Sequence, residues 1–564
     1  MSYSSEAPTA AVIFQHAMQC MQSGDIEQAT LLCRRYRSDF PADIGLLNLS
    51  GILELQQGNC EEAVSLLGRS LRLAPNQPQI ASNMGIGLEK LGHLKEALIS
   101  FNHAITLAPT YAKAHCNRSN VLNELQRYEE AVASARQALV LDPNMTEACC
   151  SCGNALRDLG RLEEALNYFD RAIALSPRTA ILYGNRGNTL RDMYRPEEAL
   201  ADFEVAVTLD PNNTNLWINR GNVLRELKCF ADARSSYARA MEAEPENGDA
   251  HWDIALIDLL TGDFTNGWDG YEWRWQSPSL AHAVRPFTQP LWTGQPDISG
   301  KTILIHAEQG LGDTVQFARY IPMVHALGAK VICEAPATLI DLLQSMPETE
   351  LITWIEAGSP LPDFDLHCPT MSLPRAFSTL LETIPADIPY LSASADKMHY
   401  WQEKLGTKKA RRIGLVFSGK RGMAPDRKRS IPAKLFEPIF SLPFEFHCLQ
   451  QDIRENDSTF IGAYPQIHSH STALSDFSDT AALIANMDLV ISVDTAIAHV
   501  TGALGKPLWL LLPAVPDWRW MMDRTDTPWY PGARLFRQTQ NGNWQDVILA
   551  LCHELTQIPQ HSNG

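Results

Sequence analysis

The chain has 564 residues, 45% of them hydrophobic and 20% charged, and a formal net charge of −18. That length calls for three or four domain-sized units. The acidic balance argues against a general nucleic-acid binder. No apolar run approaches the roughly 20 residues that a membrane-spanning helix needs. The start, MSYSSEAPTA, has neither a basic nor an apolar segment, so no secretory leader is expected. Twelve cysteines are scattered, and the one cluster is Cys149, Cys150 and Cys152. Without paired CxxC spacing they predict reduced, buried thiols in a cytoplasmic setting, and no metal.

The first half is periodic. Prolines stand at 41, 75, 109, 143, 177, 211 and 245, each 34 residues after the last. Alanines keep a second phase (29, 63, 97, 131, 165, 199, 233), and small residues a third (Gly51, Gly85, Ser119, Gly153, Gly187, Gly221). A small residue at a fixed phase marks a close helix crossing, and a proline ends each unit because it cannot continue the helix. The pattern resembles the tetratricopeptide repeat. It implies an α-solenoid of seven helix-turn-helix units over about residues 10–245. A degenerate cap follows, GDFTNGWDGYEWRW, Gly262 to Trp275. Residues 1–275 are therefore assigned to the array and 276–300 to a connector.

Asparagines recur inside the array. Asn83, Asn117, Asn185 and Asn219 share one phase, broken by Ser151. Asn120, Asn154, Asn188 and Asn222 share another, three residues on, and Arg157, Arg191 and Arg225 follow one turn later. Asn is a poor helix former, so the register needs a reason. One reading has the amides bonding neighbouring repeats. The other makes them a ladder that grips an extended polypeptide. The second is similar to the asparagine ladder of O-linked N-acetylglucosamine transferases.

From residue 301 the pattern becomes α/β. Thr302–His306 reads as a buried strand, followed by GlyLeuGlyAsp at 310–313 and a helix over about 314–327. Further strands are expected at Val331–Glu334, Leu351–Ile355 and Asp365–Cys368. The GxGxxG dinucleotide spacing is absent. A second lobe opens with the strand Ile413–Phe417 and the loop SGKRGMAPDRKRSIP, 418–432. Its basic residues, Lys420, Arg421, Arg427, Lys428 and Arg429, suggest phosphate binding, or else a solvated loop. Strands at Phe446–Leu449, Leu489–Val493 and Leu508–Leu512 continue it, with helices at Asp479–Met487 and Trp544–Leu555. Between the last two strands, Asp494 and Thr495 begin a helix carrying His499. Helix starts attract anions, although Asp and Thr are also ordinary caps.

Residues 300–555 resemble the GT-B glycosyltransferases, in particular the heptosyltransferase-like family 9 and bacterial tetratricopeptide proteins carrying such a domain. The resemblance implies two Rossmann-like lobes, 301–400 and 411–556. Gly310, Gly312 and Asp313 match the family's Gly-x-Gly-Asp loop, whose Asp serves as general base or positions the acceptor. Arg429 ends a segment matching the one that contacts donor phosphates. AspThrAlaIleAlaHis, 494–499, matches Asp-Thr-Gly-x-x-His, with Ala496 at the usual glycine. The resemblance thus implies an inverting, metal-independent transferase with Asp313 as base. Gly310, Gly312, Lys420, Arg429, Asp494, Thr495 and His499 would hold the nucleotide-sugar donor, with a polypeptide acceptor in the repeat groove. Two other readings stay open: a glycan- or lipid-directed transferase whose repeats bind a partner, and a non-catalytic binding scaffold.

Overall fold

The structure is a computed structural model that describes residues 9–419 and 426–559. It divides into two compact units, Met1–Val223 and Leu224–Gly564.

The first unit is built of helical hairpins in the 34-residue register, from Ala10–Gln22 onward. The phased alanines, Ala29 through Ala199, are all 0% exposed. Gly85, Gly153 and Gly187 lie beneath a phenylalanine ring of the partner helix, and Gly51 beneath Leu67. A Cβ on Gly153 would stand 2.7 Å from the Phe169 ring, and Phe169 is itself 0% exposed. Each hairpin turns on a residue of positive φ. Gly24, Gly58, Gly92 and Gly160 take that conformation at little cost, but Gln126 (φ 60°) and Tyr194 (φ 58°) hold the same position.

The second unit opens with the last helices of the series and continues into two parallel sheets. Lys228 (φ 62°) and Gly262 (φ 95°) extend the turn phase, so Gly248–Thr261 pairs with the shorter helix Phe264–Tyr271, which lies in the stretch read as the cap. The compact units nevertheless divide at Val223, inside the helix series. The cause is burial. Trp268, Tyr271 and Arg274 are 3%, 2% and 0% exposed within the second unit, and the Trp268 indole donates to the Thr379 carbonyl at 2.9 Å.

The first sheet comprises β1 (Thr302–His306), β2 (Lys330–Ala335), β3 (Ile352–Glu356) and β4 (Leu366–Pro369), in the order β3-β2-β1-β4. The second comprises β5 (Arg412–Val416), β6 (Glu445–Cys448), β7 (Ile467–Ser469), β8 (Leu489–Val493), β9 (Leu508–Leu512) and β10 (Ala533–Arg537). Its order is β10-β9-β8-β5-β6-β7. All pairings between these strands are parallel. This is the α/β architecture expected of a GT-B fold. The edge strands β7 and β10 carry polar residues such as His468 and Arg534, so they lack the apolar run that announces a buried strand. The helix expected over 314–327 breaks into Leu311–Phe317, a 3₁₀ turn Ala318–Tyr320, and Ile321–Ala326, where Pro322 removes a donor.

The strand orders position the site. In the second sheet β5 lies between β6 and β8, so the chain leaves in opposite directions from the ends of β5 and β8. In the first, the same divergence falls between β1 and β4. Ligands of open parallel sheets bind at such points, beyond the carboxyl ends of the strands. GlyLeuGlyAsp follows β1, the basic loop follows β5, and Asp494-Thr495 follows β8. Among the described residues, no helix is long and apolar enough to cross a membrane.

Candidate active site between the two lobes

The loop after β1 is held from both ends. Gly310 is the N-cap of helix Leu311–Phe317, and the Asp313 Oδ2 accepts its N–H at 2.8 Å. Behind the loop, Arg274 donates to Glu308 at 3.0 Å, and Gln309 donates to the Tyr271 hydroxyl at 3.2 Å. Burial pushes the Glu308 carboxyl up to about 7 against the pull of Arg274. Gly312 meets the other lobe. A Cβ there would stand 2.7 Å from His499 Cδ2 and 3.3 Å from Ala496 Cα, so the two motifs are in direct contact.

The second lobe supplies the end of β8 and helix Ala496–Ala503. Thr495 is that helix's N-cap, and its hydroxyl lies 3.2 Å from the Ser492 hydroxyl. Burial, with repulsion from Asp517, raises the Asp494 carboxyl to about 6, while Arg429 and Arg519 oppose the shift. His499 is 4% exposed, its Nδ1 3.0 Å from the Tyr530 hydroxyl and its ring stacked on Trp520 at 5.3 Å. Burial and the nearby arginines 519, 319 and 429 hold its pKa well below the usual range, so the ring is neutral. His499 is thus a packed member of the site, with Nε2 4.0 Å from Asp494 Oδ1.

Of the basic loop, Lys420 lies outside the described residues. Lys428 pairs with Glu226. Arg429 turns inward. A Cβ on Gly419 would come within 2.7 Å of Arg429 Nη2 and push the guanidinium aside. Among the described residues its buried Nε has no hydrogen-bond partner. Its charge acts on Asp313, Asp494 and His499.

Sequence reasoning missed Arg519, which sits at the centre. Its Nη2 donates to Asp313 Oδ1 at 2.6 Å, its Nη1 to Asp517 Oδ1 at 2.8 Å, and its Nε to Gln316 Oε1 at 2.9 Å. The guanidinium lies 4.3 Å from the Trp518 ring centre, and the side chain is 7% exposed. Burial lowers its pKa, but Asp517 and Asp313 more than offset this and keep it charged. Burial and Asp517 raise the Asp313 carboxyl, while Arg519 pulls it down. The clue in the sequence was the block ProAspTrpArgTrp, 516–520, where a charged pair lies among indoles.

In the first unit the asparagines divide. Asn120 Oδ1 accepts from the Ser151 hydroxyl at 2.5 Å, so the serine that interrupts one phase binds the other. Asn154 and Asn185 both donate to Cys150 Sγ, at 3.8 and 3.2 Å. Asn117 is 7% exposed, and its Nδ2 has no partner among the described residues. Asn83, Asn188, Asn219 and Asn222 are half-buried. Part of the ladder therefore bonds between neighbouring repeats.

A tetratricopeptide solenoid followed in sequence by a two-lobed parallel α/β fold with an inter-lobe site is the class these features define. Family models match stretches of both halves. Tetratricopeptide repeat models match residues 112–145, 153–193, 179–209 and 218–267. The model of glycosyltransferase family 9 (heptosyltransferase) matches 473–512, the stretch holding β8, Asp494, Thr495, His499 and β9. Protein FlbA of Caulobacter vibrioides is 29% identical over 321 residues, 52% of this chain and 52% of that protein. The chain thus spans about half the length of this curated relative. Among solved structures, a tetratricopeptide repeat protein from Parabacteroides merdae is 21% identical, covering 43% of this chain and 96% of its own, with a TM-score of 0.38. The protein TTC0263 of Thermus thermophilus is also 21% identical, covering 32% and 100%, with a TM-score of 0.30.

Proposed function

We propose that the protein is an inverting glycosyltransferase that moves a sugar from a nucleotide diphosphate donor to a polypeptide held by the repeats, without a metal. The observation that carries this reading is the convergence of Asp313, from the first lobe, with Arg429, Asp494, Thr495 and His499 from the second. Glycosyl transfer needs an acceptor hydroxyl deprotonated and a diphosphate leaving group stabilised. Asp313 takes the proton as the acceptor oxygen bonds to the anomeric carbon. The carbon–phosphate oxygen bond breaks, and the diphosphate leaves with the electron pair. Arg429, Lys420 and the start of helix Ala496–Ala503 bear its charge. The recurrence of Asn83, Asn188 and Asn219 in register along the repeats supports a polypeptide acceptor.

The test is a thermal-shift panel of ADP-, GDP- and UDP-sugars with a chelator present. A ligand that binds only the folded state at about a hundredfold its Kd stabilises by about 2.7 kcal/mol, a clear rise in midpoint. One sugar class is expected to bind, and Arg429→Ala to abolish its shift. If no donor shifts the wild type, the non-catalytic scaffold becomes the better reading.

A further inference from the structure

We propose that Arg519 is a positioning residue that masks Asp313 in an ion pair until a nucleoside diphosphate group enters. It then transfers its guanidinium to the phosphates and leaves Asp313 to receive the acceptor's proton. This rests on the donor-site reading above.

The argument begins with space. Between Gly312 and the start of helix Ala496–Ala503 there is less room than a methyl group needs, since a Cβ on Gly312 would stand 2.7 Å from His499. A diphosphate enters there only if the lobes part, and lobe movement of this kind is common among enzymes that complete their sites on closure. The segment that carries Arg519 is anchored on the last hairpin: Trp518 packs on Trp268 at 5.2 Å, and the Met522 N–H donates to the Leu260 carbonyl at 3.3 Å. The phosphates therefore meet the guanidinium where it stands and compete with Asp313 for it. Asp517 and the Trp518 ring, beside it in the chain, hold it in place. Its remaining contacts, Gln316, Asp313 and, at 3.7 Å, Met371 Sδ, belong to the first lobe. A planar fork still fixed at Asp517 suits bidentate phosphate binding once Asp313 is displaced.

Charge points the same way. The groups acting on Asp313 are Arg519, Asp517 and Arg429 from the second lobe, with Tyr271 and Glu308 behind the loop. Asp313, Asp494 and Asp517 already outnumber the two arginines, so an incoming diphosphate needs a cation that is now engaged elsewhere. When the phosphates take Arg519, Asp313 loses its main opposing charge and its carboxyl gains affinity for a proton. That moves it toward the pH range in which a general base works best. Before donor binds, the ion pair keeps the base from acting on water or acceptor alone.

The measurement is calorimetry of ADP, GDP, UDP and CDP binding near pH 6.5, in buffers of different ionisation enthalpy. The full chain, Asp313→Asn, Arg519→Gln and Arg519→Lys are compared. For the nucleotide that binds, the wild type is expected to take up more protons than Asp313→Asn, by up to about one. Arg519→Gln should lose that difference and bind about ten- to a hundredfold more weakly. Arg519→Lys, which keeps the charge, should fall between them, and it decides the matter if the glutamine variant does not fold. Equal proton uptake in wild type and Asp313→Asn, or undiminished affinity in both Arg519 variants, overturns the masking role alone. Binding of no nucleotide overturns the donor-site reading and this inference together.

Discussion

The repeat unit and the α/β unit encode their structures differently. In the array one role is filled again and again: a buried alanine, a small residue at the helix crossing, a turn residue of positive φ. In the α/β unit each role is filled once. Asp313 and Arg519 recur at no fixed period. A repeated role is visible in a single sequence because the period displays it, and it tolerates local exceptions such as Gln126. A singular role leaves no such trace and tolerates little.

Three measurements sharpen or break this contrast. The largest effect belongs to a singular position. With the donor identified, Asp313→Asn should lower turnover about 10²–10⁴-fold. Asn219→Ala, one rung of a shared ladder, should weaken acceptor binding by no more than about tenfold, the net worth of a hydrogen bond. Comparable losses in the two variants would refute the contrast.

The next effect is on acid stability. In the α/β unit, His306 and His447 are held down to about 3 and His470 to about 4. Burial is the first cause in each, reinforced by the neighbouring histidines and by Arg285, Arg412 or Lys404. An unfolded histidine titrates near about 6.5. The folded state therefore favours the neutral rings. Their contribution is whole above about pH 6.5 and is lost toward pH 4, at about 1.4 kcal/mol per pH unit for each ring. Of the array's rings, His115 is likewise lowered by burial. Of the 13 tryptophans only Trp217 precedes residue 224, so indole emission reports the second unit while helical dichroism reports mainly the array. Acid titration should change the emission first. Coincident transitions would show the two units to be one cooperative body.

The smallest effect is at a turn. Gln126→Gly removes a left-handed non-glycine residue and should raise the array's stability by about 0.5–1 kcal/mol, read as a higher urea midpoint.

What was legible follows from the same distinction. The 34-residue register, the alanine phase and the central strands β1, β5, β8 and β9 were read directly, because period and apolar runs are local signals. Gly310–Asp313 and Asp494–His499 stood out as short motifs beside strand ends. The edge strands β7 and β10 did not, since one face of an edge need not be apolar. Arg519 stood in a conspicuous Trp-rich block but could not be placed in the site, because its partners, Gln316 and Asp313, lie more than 200 positions away and no spacing rule links them. The break after Phe317 could have been inferred from Pro322, but the apolar periodicity runs through it.

The last hairpin bears on inheritance. Its Trp268, Tyr271 and Arg274 have become part of the interior that supports the Asp313 loop. A lineage that exchanged its repeats for others by cutting after residue 275 would discard that support and lose the loop's geometry with it. A cut near Val223 would keep it. The historical joint between recognition and chemistry in such proteins should therefore be sought inside the run of repeats, with the final hairpins descending alongside the α/β half and diverging at its pace.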